Sequence, residues 1–259
     1  LSKPVAALLP FLKDKSATAA LEGKRIRVIP DGPLVRFPLG ALVLKAPSRK
    51  ALGQPPIFVG TKYDLYYGLL DQAAPTANAS ETMGVIGPLG KASGGCPTVI
   101  EGDPCDPGEA MFMVDALKAG SEKSKDSPEY VSGTEVDGST ISRLLADHGS
   151  VHVVSPVDMV NASFVTNPSS EEGVYGRHGG QDVAGGGASS SAVLIGNPVW
   201  APLQVENGDG LRGLAMSLRA TGLGHLVIRS FAPAPEDLEW SKRLAEIQAQ
   251  GGHLASAVD

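Results

Sequence analysis

From residue 83 onward, short apolar runs alternate with segments of helical periodicity, and few folds accept that alternation. The runs are Met83-Gly84-Val85-Ile86-Gly87-Pro88, Glu129-Tyr130-Val131-Ser132-Gly133, Ser150-Val151-His152-Val153-Val154-Ser155, Ala192-Val193-Leu194-Ile195-Gly196 and His225-Leu226-Val227-Ile228. The third is apolar on both faces, as a central parallel strand must be. Between the runs, apolar residues recur three and four apart. One such set is Ala110, Met111, Val114 and Leu117 after Pro107-Gly108-Glu109. The others are Ile141, Leu144 and Leu145 after a Ser139 cap, Leu211, Leu214 and Leu218 after Asp209, and Trp240, Leu244 and Ile247 after Pro235. Each reads as an amphipathic helix. Strand, helix, strand in repetition predicts an α/β fold with a mostly parallel sheet and helices on both faces.

The first eighty residues are less regular. Residues 4–20 read as a helix broken near Pro10. Lys24-Arg25-Ile26-Arg27-Val28-Ile29 then enters a core as a strand, and Pro30-Asp31-Gly32-Pro33 forces a corner. A second apolar stretch returns through Phe37-Pro38-Leu39-Gly40-Ala41-Leu42. Tyr63, Leu65, Tyr66, Leu69 and Leu70 have the spacing of a short helix. Residues 158–190 read mostly as loop, with glycine-rich stretches near 88–108 and 173–191. The expectation is one domain over 1–259. The sequence starts at Leu1 rather than Met, which leaves room for a longer native chain.

Composition narrows the function classes. With 259 residues, 42% of them hydrophobic and 19% charged, the chain is globular. A net charge of −6 and the lack of a Lys/Arg run argue against a nucleic-acid partner. No apolar stretch approaches the roughly 20 residues of a membrane helix, and no leader pattern is visible, so a cytoplasmic protein without a membrane partner is expected. Cys96 and Cys105 lie nine positions apart in a Gly/Pro-rich segment. They fit a disulfide or two free thiols, and no His or Cys pair of finger spacing stands near them, so no metal is expected. The absence of a Walker motif or a Gly-x-Gly-x-x-Gly turn argues against a nucleotide cofactor, and none is expected.

The strand, Pro-Asp-Gly-Pro corner and Phe-Pro-Leu-Gly-Ala-Leu return resemble the opening strand of the CHAT family. These are caspase-like domains, relatives of caspases and separase, often found behind helical repeats. Further segments agree in order over roughly residues 1–250. Ser132-Gly133-Thr134-Glu135 and its helix are similar to the element before the family's catalytic strand. Ser150 to Val157 looks like the strand that ends in the catalytic His-Gly pair. Ala192 to Asn197 looks like the strand that ends in the nucleophilic Cys. The resemblance implies a caspase-like three-layer sandwich and the activity of a cysteine endopeptidase.

Such enzymes need an imidazole and a thiolate at the carboxyl ends of neighbouring strands, with backbone N–H groups for the oxyanion. Here the matching positions hold Pro156 and Asn197. Proline moves no proton and Asn is a poor nucleophile. Both cysteines precede His148 and every later histidine, so a dyad of the family's chain order cannot form. His152, inside the strand, and His178, in Arg177-His178-Gly179, are the candidates to rescue acid–base chemistry. Their plainer readings are a core histidine and a solvated loop. Asp158, just past the strand end, is placed to line a pocket for a basic side chain.

The sequence therefore predicts a catalytically inactive, caspase-like pseudo-peptidase domain of structural, regulatory or protein-binding role. Its partner would be a protein, a peptide, or an adjacent protease or helical-repeat domain. The alternatives are an active peptidase of this fold with relocated catalytic residues, and an unrelated α/β binding module.

Overall fold

The protein is described by a computed structural model. It covers residues 3–29, 39–47, 54–67, 82–90, 111, 114–115, 128–159, 161–167, 175–184, 192–196, 198–199, 209–220, 223 and 225–228. Contacts divide the chain into two compact units, Leu1–Gln72 and Ala73–Asp259.

In the first unit, α1 (Lys3–Leu8) is followed by a 3₁₀ turn (Pro10–Lys13) and α2 (Lys15–Leu21). The predicted break at Pro10 is present because proline has no N–H to donate and opens the 3₁₀ turn. Asp14 caps α2, its carboxylate accepting from the Ser16 N–H at 2.8 Å. Strand β1 (Arg25–Val28) pairs in parallel with β4 (Asp64–Tyr67). Between them lie a 3₁₀ turn (Leu39–Ala41), β2 (Val43–Lys45), β3 (Ile57–Phe58) and α3 (Val59–Lys62). The helix read over 63–70 is therefore a strand where it is described. Tyr66 and Tyr67 favour extended backbone, and β1 supplies the partner that the i, i+3 spacing could not reveal. Val5, Leu12, Leu39, Val59 and Tyr63 form the core of this unit.

The second unit is built on five parallel strands: β5 (Met83–Leu89), β6 (Glu129–Gly133), β7 (Ser150–Val153), β11 (Ala192–Ile195) and β13 (His225–Ile228). Their spatial order is β13-β11-β7-β5-β6. Counted within this unit, that is 2-1-3-4-5, a doubly wound order. All four pairings are parallel. Val85 and Ile86 point to opposite faces of β5 and belong to different apolar clusters, so the sheet is covered on both sides at that strand. Of the helix expected from Pro107 to Gly120, positions 111, 114 and 115 are described and are helical.

Helix α4 (Gly138–Asp147) buries Ile141, Leu144 and Leu145, the i, i+3, i+4 set of the sequence. Its cap is Asp137 rather than Ser139. The Asp137 carboxylate accepts from the Thr140 N–H and the Ser139 hydroxyl, both at 2.7 Å. The segment read as loop over 158–190 carries β8 (Val157–Asp158), β9 (Ser163–Thr166), β10 (Gly176–Gly179) and α5 (Gly180–Ala184). With β12 (Pro198–Val199) they make a second sheet in the order β10-β9-β8-β12. Strands of two to four residues are too short to show alternation in sequence, and only their pairing defines them. Helix α6 (Asp209–Ala220) buries Leu214 and Leu218 in the same core as Phe164 and Ile195.

Candidate functional site

In doubly wound sheets, ligands meet the crevice beyond the carboxyl ends of the strands. That edge is where the sequence placed its site, and the small sheet grows from it. At the end of β7 the chain stays tied to its neighbours. Val154 and Ser155 donate their N–H groups to the Ile86 carbonyl at 2.8 and 3.3 Å, and Gly196 donates to the Val153 carbonyl at 2.8 Å. Val153 stands in register with Ile86 on one side and Ile195 on the other. The strands proposed to end at positions 156 and 197 are therefore parallel neighbours. Asn197, Cys96 and Cys105 lie outside the described residues.

Pro156 is buried, between Ser155 and Val157, which are fully buried as well. Its carbonyl accepts the Val165 N–H at 3.1 Å, which turns the strand out of the large sheet into the small one. Phe164, Val157 and Met159 from this extension join the main core. Position 156 is thus a packed corner.

The three other described candidates separate. His152 is 1% exposed in the middle of β7, level with Val85 and Leu194. His178 is half-buried on β10, opposite Phe164. Its ring fits between two glycines: a Cβ on Gly138 would sit 2.7 Å from Nδ1, and one on Gly176 3.4 Å from Nε2. Asp158 pairs with Ser163, one step from Phe164, so it lies on the other face of the small sheet from His178. Its carboxylate accepts from the Asn161 N–H at 3.0 Å, from Asn161 Nδ2 at 2.8 Å, and from Arg177 Nη1. The basic side chain that Asp158 meets is one of the chain's own.

Sequence reasoning missed the residue that closes the edge. Buried Asn167, at the end of β9, accepts the Gly90 N–H on Oδ1 at 3.0 Å. Its Nδ2 donates to the Val136 carbonyl at 3.2 Å and to the Gly133 carbonyl. One amide thereby fastens the ends of β5, β6 and β9, at the point where Gly133 turns with φ +66°. Tyr175 adds a bond from its hydroxyl to the Gly90 carbonyl at 3.0 Å. The Asn167-Pro168 dipeptide is a turn signal in sequence, but it names no partners.

Charge is organised at the opposite edge. Glu129 opens β6 and takes Arg143 Nη2 at 2.5 Å and His148 Nε2 at 3.0 Å. The Arg143 hydrogen bond, aided by His148 and opposed by burial, holds the Glu129 carboxyl down at about 2. Asp137 is likewise lowered, by the Thr140 N–H and the Ser139 hydroxyl. Among the described residues no three His, Cys, Asp or Glu side chains are grouped to hold a metal ion, and no helix is long and apolar enough to cross a membrane.

No protein-family description matches the chain, and no curated protein matches it. Solved structures give weak likenesses. Rubredoxin oxygen:oxidoreductase from Desulfovibrio gigas is 14% identical over 69% of this chain at a TM-score of 0.35, and the match spans 37% of that protein's own length. Flavodoxin 1 from Bacillus cereus is 9% identical, with 65% of this chain and 97% of that one covered, at 0.33. A flavodoxin from the domain Archaea is 14% identical, with 66% and 98% covered, at 0.27. What stands independently of them is an α/β protein with a five-stranded parallel sheet.

Proposed function

We propose that this chain is a caspase-like domain, a three-layer sandwich of the CHAT kind, that has lost its Cys–His dyad and serves as a protein- or peptide-binding module. One observation carries the reading. At the carboxyl end of β7, where the general base would stand, Pro156 is buried and its carbonyl is bonded to the Val165 N–H. The neighbouring parallel strand β11 leads to Asn197, so the two strands that the resemblance needs side by side are side by side. Catalysis requires a group that takes a proton within hydrogen-bond reach of substrate. A packed proline corner offers neither the group nor the access. Partner binding then falls to the surfaces around the edge, in trans or to a protease or helical-repeat domain of the same polypeptide.

The test is cleavage of a mixed fluorogenic peptide library at neutral pH by the wild-type chain and by a Cys96→Ala/Cys105→Ala double variant. No turnover by either is expected. Turnover abolished in the double variant would overturn the proposal and make the cysteine segment catalytic. Turnover shared by both and lost in His178→Ala would overturn it in favour of a relocated base.

A further inference from the structure

The first unit has a cavity beside its core. Its volume is about 580 Å³, and its walls come from the Pro10–Lys13 turn, α2, β1, α3 and β4. Small-molecule sites usually span about 300–1,000 Å³. Helix α2 lies along one side. Its apolar stripe Ala17, Ala20 and Leu21, at i, i+3 and i+4, lines the cavity, and the helix buries none of its residues. An amphipathic helix ordinarily presses such a stripe into a core; here two of the three side chains are methyl groups too short to fill the space. Leu9, Ile26, Val28 and Leu65 pack against the core of this unit yet stay only partly buried, and each lines the cavity. Phe11 at 44% and Ile29 at 45% exposure line it as well and mark its mouth. Arg27, exposed, is the one charged residue among the described residues of the lining.

We infer that this cavity binds the alkyl chain of a free long-chain carboxylate, with Arg27 holding the carboxylate at the mouth. Walls of aliphatic carbon favour an occupant that buries apolar area along its whole length. Water gains little there, because it needs several polar partners. A nucleotide or a flat heteroaromatic ligand needs several convergent polar groups, and among the described residues of the lining only Arg27 and Tyr63 carry polar side-chain groups. An alkyl carboxylate asks for polar contact at one end alone. Arg27 already has an interaction within the chain, and the fork of N–H donors on a guanidinium accommodates a second acceptor beside the first. The carboxylate stays within reach of water, so the charge contributes selectivity while the chain supplies affinity. The inference goes beyond the binding-module reading, which concerns the second unit, and does not depend on it.

The probes are decanoate, decanol and decylamine, each titrated below its micellar concentration into the full chain and followed by methyl NMR. Decanoate is expected to shift the methyl resonances of Leu21, Ile26, Val28 and Leu65 and to leave those of Leu144 and Ile195, in the second unit, in place. Ala20→Trp, which fills the cavity, should weaken decanoate binding by about tenfold or more, the loss of about two methylene contacts. Ala19→Trp, on the same helix but outside the lining, should bind as wild type does. Decanoate should bind more tightly than decylamine, and Arg27→Gln should erase its lead over decanol, about threefold to fivefold for an exposed charge pair. Circular dichroism confirms that each variant is folded, and if Ala20→Trp is not, Ala20→Leu takes its place. Undisturbed lining methyls in the wild type overturn the inference and mean that the chain itself or a second copy fills the cavity. Equal binding by wild type and a folded Ala20→Trp puts the ligand elsewhere and overturns it, as does an Arg27→Gln variant with the preference intact. Sedimentation with phosphatidylglycerol vesicles, without any response to decanoate, overturns it in favour of a membrane surface.

Discussion

Replacing Asn167 tests whether one amide holds the carboxyl edge of the sheet. It makes three side-chain hydrogen bonds: from the Gly90 N–H, to the Val136 carbonyl and to the Gly133 carbonyl. A hydrogen bond contributes about 0.5–1.5 kcal/mol net, and a buried group left without a partner costs about 1–3. Asn167→Ala should therefore destabilise the second unit by about 3 kcal/mol. That is a fall in Tm of about 6–12 °C at about 2–4 °C per kcal/mol for a domain of this size. Asn167→Asp, nearly the same shape, is the sharper variant. It keeps the acceptor for Gly90 but turns a carboxylate toward two carbonyl oxygens. Its folded-state pKa should rise above the unfolded value of about 3.9. The sign follows: this variant is closest to wild type below about pH 4 and loses stability as pH rises through its folded pKa. Thermal unfolding at pH 4 and pH 7 reads the difference, and amide exchange at Gly90 reads the local bond. A loss under about 1 kcal/mol for Asn167→Ala with unchanged Gly90 protection would refute the reasoning.

Other perturbations give independent readings. Glu129 sits at about 2 in the folded chain against an ordinary 4.5, so its contribution is complete above 4.5 and declines as pH falls toward 2. The gap in unfolding midpoint between wild type and Glu129→Gln should narrow over that range, and a constant gap would contradict the assignment. Leu144, fully buried in α4, should cost about 2–5 kcal/mol when cut to Ala, measured by urea unfolding, and a cost under 1 would mean the helix face is misplaced. Gly138→Ala puts a Cβ 2.7 Å from His178 Nδ1 and should displace the ring, visible as a shift of the His178 imidazole resonances with little change at His152.

Much of the fold was legible. The runs at 83, 129, 150, 192 and 225 became the five parallel strands; the signal was clearest for β5 and β7, because a strand buried on both faces is apolar nearly throughout. The α4 stripe was legible because three residues per two turns must face the core. The short strands β8, β9 and β10 were not. Gly176-Arg177-His178-Gly179 carries no period-two signal, and its extended form exists only through pairing with β9. The site was legible in part: the positions of Pro156 and Asp158 could be named, but not the Val165 N–H that pins one or the Arg177 that meets the other.

The sequence by itself determined the order of the five main strands and of α4 and α6 among them, and with it the α/β class, because hydrophobic period is a property of neighbouring residues. It also determined that no cysteine follows any of the later histidines, since chain order needs no coordinates. Only the tertiary structure decided that Asn167 would bolt three strand ends together, that His178 and Asp158 would take opposite faces, and that Arg177 would cross a strand to reach a buried carboxylate. Those are contacts between residues tens of positions apart. They follow from register, where a shift of one residue reverses every face, and register is set by the packing of the whole core.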